Sequence, residues 1–267
     1  MMLRYFRMLG SLARFSLLGE MAFRANYLLK VIVEVLWLGL MLLFYDTIFA
    51  KTSEVGGWTR AEFLFFLGCY TALEGLLETF VLGNCSGFGE LVRNGELDLI
   101  LLRPIDEQFL VSFRQIEWSS VPNVLLGGGL MTYSLVQQDW QFSPLRLAAF
   151  AVSFACAAAM AYSFLIMLAS TAVWMVRNQS LYELWWLFTS LMRYPREIFS
   201  GSWAAPLGKL LTFVLPVLLV INVPARTMVK VWEPGMLAFM FGVTIILLLA
   251  SRRLFKRALM SYRSASS

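Results

Sequence analysis

"GFGELVRNGELDLILLRPID" (Gly87–Asp106) sets acids and bases two to five residues apart, between two of the most apolar stretches of the chain. Ser86 is placed as an N-cap, and Glu90 falls in the first turn, where negative charge suits the helix dipole. Phe88, Leu91 and Val92 share one face. Asn94-Gly95 then breaks the helix, because glycine readily takes the left-handed conformation of a C-terminal cap. A second piece presents Leu97, Ile100 and Leu101 on a face. Arg103-Pro104 ends it, since the residue before proline is pushed out of helical geometry. The segment 86–106 therefore reads as two short amphipathic helices joined by a bend. A bare connection needs only a few residues. One this long, with intermixed charge over an apolar stripe, suits docking on another protein, whereas uniform positive charge would suit lipid headgroups. An ordinary solvated loop is the alternative.

On both sides of this block the chain is apolar. Hydrophobic residues make up 59% of the 267 and charged residues 15%, and the mean hydropathy is +0.70. Soluble domains hold about 45–50% apolar and about 25% charged residues. The excess is that of a polytopic membrane protein whose surface is solvated by lipid. Seven apolar segments stand out, at about 27–50, 61–83, 109–136, 146–176, 181–199, 207–229 and 235–251. Each is near or above the roughly 20 residues of a spanning helix.

Charge at the two ends decides how many of them cross. The first thirty residues carry Arg4, Arg7, Arg14, Arg24 and Lys30, and the tail carries Arg252, Arg253, Lys256, Arg257 and Arg263. Basic residues mark the cytoplasmic side, so both termini are expected there and the number of crossings is even. Arg93, Arg103 and Arg177 then lie inside, whereas Arg193, Arg196, Lys209, Arg226 and Lys230 lie outside, against the rule. Of seven segments one must not span, and 206–229 is that one. Lys209 sits near its start, Pro216 in its middle and Asn222 with Pro224 near its end. A proline-broken helix at membrane depth survives only where protein or water covers its freed backbone groups. The segment is expected to be a re-entrant helix pair before the last span. A kinked full span is the alternative, and it would put the basic tail outside.

The first 24 residues stand apart. Arg4, Arg7, Ser11 and Arg14 fall on one helical face, with Leu3, Phe6, Leu9, Leu12 and Phe15 around the rest. That pattern is an interfacial helix lying on the cytoplasmic leaflet. The same arginines, with Glu20, interrupt the apolar run that a cleavable signal would need. The fold expected is thus an all-α integral membrane protein, a single domain over 1–267. It has six transmembrane helices (27–50, 61–83, 109–136, 146–176, 181–199 and 235–251), an interfacial helix at 1–24 and a cytoplasmic segment at 86–106 between spans two and three.

Several chemistries are excluded. The chain has no histidine, which removes Ser-His-Asp and Cys-His catalysis, zinc-protease helices and His-lined relays. Cys69, Cys85 and Cys156 show no CxxC spacing and read as small buried residues. No phosphate loop is present: Gly208-Lys209 is followed by Leu210. No metal and no nucleic-acid partner is expected.

Glu34, Glu74, Glu78, Arg114 and Glu117 fall within expected spans, where charge costs about 2.5–3.5 kcal/mol at the centre and must face protein or water. Glu74 and Glu78 share a face; Arg114 and Glu117 are placed to pair. These residues are either a structural ion-pair set tying the first three spans together or an acidic entrance for a cationic or zwitterionic substrate. Tyr27, Trp58, Tyr133, Trp140, Trp185, Trp186, Trp203 and Trp232 flank spans as an interface belt. Gly127-Gly128-Gly129 permits close helix approach.

"GELDLILLRPID", after a second span and leading into a third, resembles the cytoplasmic segment of ABC type-2 exporter permeases. It is most similar to a bacterial branch with a G-x-L-D-x-x-L-x-R-P pattern, matched by Gly95, Leu97, Asp98, Leu101, Arg103 and Pro104. "LTFVLPVLLVINVPAR" resembles the proline-interrupted segment of the same branch. The resemblance covers the whole chain and implies the permease subunit of an ATP-driven exporter in a bacterial inner membrane. It implies a coupling helix resting in a groove of the ATPase, with Glu90, Arg93, Glu96, Asp98 and Arg103 making the contact and Val176–Glu183 a second, minor one. Two permeases, identical or related, would pair over two ATPase subunits. ATP and magnesium would belong to those subunits, so this chain would be neither an enzyme nor a cofactor binder. The rivals are a stand-alone secondary transporter or channel, which would need ion-coupling residues and usually internal repeats, and a membrane scaffold that does not transport.

Overall fold

The computed structural model describes residues 2–174, 180–201, 203–231 and 233–262. Nearly all of them are helical. The strand content among them is a short antiparallel ribbon, β1 (Glu54–Val55) against β2 (Trp58–Thr59). It follows α1 (Met2–Ala22) and α2 (Arg24–Phe49). Thr59 then caps α3 (Arg60–Leu77) in a reciprocal box: its hydroxyl accepts from the Glu62 amide, while the Glu62 carboxylate accepts from the Thr59 amide. α3 runs through a π-helical turn, Glu78–Leu82, into α4 (Gly83–Ser86). Next come α5 (Phe88–Arg93), α6 (Glu96–Leu101) and α7 (Glu107–Phe113). A 3-10 turn at Trp118–Ser120 opens α8 (Val121–Gln137), followed by α9 (Pro144–Ser170) and α10 (Ser180–Met192). After a 3-10 turn at Arg196–Ser200, α11 (Ala205–Lys209) passes through a π turn, Leu210–Val214, to α12 (Val217–Val229) and the closing α13 (Pro234–Ser261).

Among the described residues four stretches are long and apolar enough to cross a membrane: Arg24–Phe49, Arg60–Arg93, Pro144–Val173 and Pro234–Ser261. A fifth exists if Ala205–Val214 and Val217–Val229, which meet at 87°, count as one bent span. The bend sits at Leu215-Pro216, where the sequence places its break. The expected spans 109–136 and 181–199 come out shorter. The first is divided into α7 and the 17-residue α8. The second is the 13-residue α10, which stops before Tyr194-Pro195 because proline disfavours helical geometry in the residue ahead of it.

α3 is the most buried of the four long stretches and α2 the least. The core gathers around α3, with α8, α9 and α12 packed about it. Small residues bring α3 and α8 together: a Cβ on Gly127 would lie 2.4 Å from the Ala72 nitrogen and 2.7 Å from the Gly68 carbonyl oxygen. Of the expected glycine triplet only Gly127 makes this approach, since Gly128 and Gly129 face open space.

Three further expectations change. Arg114 and Glu117 do not pair, because the chain leaves the helix at Arg114 and Glu117 is extended, so helical spacing does not apply. Trp58 is fully buried and Trp185 nearly so, stacked on Phe188 at 5.7 Å, so neither belongs to an interface belt. Leu101 lies on the exposed side of α6, while Leu97 and Ile100 are buried.

Candidate functional site

The segment 86–106 folds as two short helices hinged at Asn94-Gly95. Gly95 has φ +73°, which a side chain would strain. The buried faces of α5 and α6, Phe88 and Leu91 with Leu97 and Ile100, join the core. Behind them the block is fastened at several points. The Phe88 ring lies 5.8 Å from that of Phe255 on α13. Arg252 of the same helix forms an ion pair with Asp106 and donates to Gln108 at 3.0 Å. The Ser86 and Tyr182 hydroxyls share a hydrogen bond of 2.8 Å, which ties α4 to the start of α10. The Tyr5 hydroxyl of α1 accepts from the Asp106 amide at 3.5 Å, and its ring meets Phe109, just past the block, edge-on at 4.8 Å. Burial alone would raise the Asp106 carboxyl, but the Arg252 guanidinium and the Phe109 amide hold it below the ordinary carboxylate range.

The outward side is different. Leu99 and Leu102 are 64% and 82% exposed, beside the exposed Glu90, Arg93, Glu96 and Arg103. Two loose ion pairs border them, Arg93–Glu90 at 3.9 Å and Arg114–Glu96 at 4.0 Å. Asp98 is half-buried and engaged with its surroundings. Of the second expected contact, Val176–Glu183, residues 176–179 lie outside the described residues.

At the far end of α3, three of the basic residues that break the positive-inside expectation, Arg196, Arg226 and Lys230, meet acids. Arg196 bonds Glu197 at 3.2 Å and Glu233 at 3.0 Å, and Arg226 reaches the same two carboxylates. Lys230 pairs with Glu62 at 3.1 Å and lies over the Trp58 ring, whose indole donates to Glu197 at 3.0 Å. Burial would raise the Glu233 carboxyl, but Arg196 and then Arg226 hold it low. Asn222 accepts from the Arg196 amide at 2.8 Å and so fixes this cluster to α12. Pro224 is inside α12, and Lys209 is exposed at the end of α11.

Between the two ends, Tyr70, Glu74 and Glu78 recur every fourth residue along α3. Tyr70 donates to Glu74 at 2.9 Å and accepts from Arg193 at 3.0 Å. Glu34 accepts from Asn123 at 3.0 Å, which joins α2 to α8. Lys30 of α2 forms an ion pair with Glu117.

The break ahead of α8 accounts for every amide from 115 to 119. Asn84 accepts from Gln115 at 3.0 Å and Ser16 from Ile116 at 3.1 Å. The Thr79 carbonyl, in the π turn, accepts from Glu117 at 2.8 Å. Glu20 accepts from Trp118 at 2.7 Å and Ser119 at 2.9 Å. Backbone at membrane depth needs such partners, and a carboxylate suits a helix N-terminus. In the sequence Glu20 is only an interruption of an apolar run, because its partners lie about a hundred residues away.

The family model described as ABC-2 family transporter protein matches residues 35–266. No curated protein matches, and no solved structure does.

Proposed function

The chain belongs to the ABC-2 transporter family, and from that premise we propose that it is the membrane subunit of an ATP-driven exporter, coupled to a separate ATPase through 86–106. The observation that carries the reading is the two-sided character of this block. Its outward side offers Leu99 and Leu102 amid Glu90, Arg93, Glu96 and Arg103, while its inward side is bonded to α13, α10 and α1. Exposed leucines ringed by charges of both signs suit a protein groove. A displacement of the block would be transmitted to the long helices it is tied to.

In this reading α7 with α8 and α10 complete six crossings, the bent 206–229 pair is re-entrant, and both basic termini are cytoplasmic in a bacterial inner membrane. Two such chains, or this one and a relative, pair over two ATPase subunits, which hold the ATP and magnesium. Closure of the ATPases pushes the blocks and biases the spans between inward- and outward-open states, as alternating access requires. The multiple carboxylates along α3 support an acidic pathway for a cationic or zwitterionic substrate.

Purification in mild detergent tests the reading. A phosphate-loop ATPase is expected to accompany the chain, with ATP turnover that depends on the block. A lone chain indifferent to ATP overturns it.

A further inference from the structure

A cavity of about 530 Å³ opens between α1, the start of α2, the π turn of α3 and the break ahead of α8. It adjoins the 86–106 block. Three carboxylates, Glu20, Glu78 and Glu117, and one ammonium, Lys30, line it. Two of the carboxylates are occupied: Glu20 by the Trp118 and Ser119 amides, Glu117 by Lys30. Glu78 is not. Its Oε2 is buried and, among the described residues, accepts no hydrogen bond. Leaving a buried carboxylate oxygen without a donor is costly. Glu78 also opens the π turn that interrupts α3, and π turns of this kind are frequent at functional sites.

The unmet demand is therefore for a donor, preferably a cationic one. Lys30 has three donors and uses one on Glu117, so it can also take an anion. A ligand that satisfies both carries an ammonium close to a phosphate. The volume lies within the range of small-ligand pockets. The rim argues for a tail on that ligand. Phe15, on the helix whose pattern suits the membrane interface, and Phe23, just past its end, border the cavity and are 78% and 73% exposed.

We propose that this cavity binds the headgroup of an ammonium-bearing phospholipid from the adjoining leaflet, its ammonium at Glu78 and its phosphate at Lys30. This deepens the acidic-pathway reading by naming a lipid class, but binding requires only this chain in a membrane and not the ATPase.

The test uses the full chain in a maltoside detergent, titrated calorimetrically with dihexanoyl phosphatidylethanolamine. Two comparison probes are dihexanoyl phosphatidylglycerol, which lacks the ammonium, and phosphoethanolamine, which lacks the tails. The ethanolamine lipid is expected to bind about tenfold more tightly than either, the scale of one charged hydrogen bond. Glu78→Gln is expected to bring it down to the glycerol lipid. Equal binding of the two lipids overturns the proposal, as does a folded E78Q protein that keeps the preference. Phosphoethanolamine binding as tightly as the lipid overturns the lipid assignment. The wild-type selectivity needs no variant, so misfolding of E78Q leaves the test intact. Absence of a co-purifying ATPase bears on the exporter reading alone.

Discussion

At the end of the bundle near the β ribbon, Arg196, Arg226 and Lys230 each close on a carboxylate, and Trp58 is sealed beneath them. At the opposite end of α3, the outward charges of 86–106 pair loosely, Arg93 with Glu90 at 3.9 Å and Glu96 with Arg114 at 4.0 Å, with exposed leucines between them. The first end sets three bases against three acids, whereas within 86–106 four acids face two bases. The difference lies in who supplies the partner. The first set is satisfied within the chain, so it costs nothing to leave facing outward. The second keeps its apolar face and most of its charge available, which a monomer gains little from doing and a docking surface requires.

The sharpest break in this comparison comes from the open end. Leu99→Asp with Leu102→Asp should weaken association with the ATPase by about 2–4 kcal/mol, the cost of losing an interface anchor, while thermal stability moves by no more than about 0.5 kcal/mol. Glu96→Arg belongs with it: ATP hydrolysis should continue while transport stops. If both variants transport normally, the block is a solvated loop.

The closed end should respond the other way. Arg226→Ala leaves Glu197 and Glu233 to share Arg196 as their one remaining guanidinium, in a cluster about one-fifth exposed at Arg226. A loss of about 2 kcal/mol in melting or denaturant stability is expected, with ATPase binding unchanged. Gly95→Ala is smaller. It places a side chain at φ +73° and should cost about 1 kcal/mol, read as a lower melting temperature and weaker coupling.

The smallest effect is that of pH, and it has the same sign at both ends. Asp106 and Glu233 titrate below their ordinary values of 3.8 and 4.5 in the folded protein. Their contribution is complete above those values and is lost as pH falls through the lower folded ones. Melting temperatures should therefore fall on acidification below about pH 4.5. Asp106→Asn should flatten the block's share of that fall and leave the share of Glu233 in place. A stability that rises on acidification would contradict both assignments.

Much of this architecture is readable from periodicity and composition. The runs at 27–50, 61–83, 146–176 and 235–251 become long apolar helices, Pro216 marks the 87° bend, and Asn94-Gly95 marks the hinge. The break ahead of α8 has its signal in the charged Arg114 and Glu117, the polar Gln115 and the helix-starting Pro122, but hydropathy averages over them and leaves only charges inside a span. Leu99, Leu101 and Leu102 fail a face rule because a six-residue helix is too short to impose one. The outer ion pairs and the Glu20 contacts join residues far apart in sequence, and no local pattern encodes them.

The amides at 115–119 have a consequence in the order of synthesis. Ser16 and Glu20 leave the ribosome about a hundred residues before the donors they accept from. When the broken stretch reaches the membrane, its acceptors must already be waiting at the interface, in a helix that has not drifted away. Deleting the first 22 residues would thus remove more than an anchor. It would leave the Ile116, Trp118 and Ser119 amides without the side chains that accept from them, and the defect would surface in assembly before it surfaced in transport.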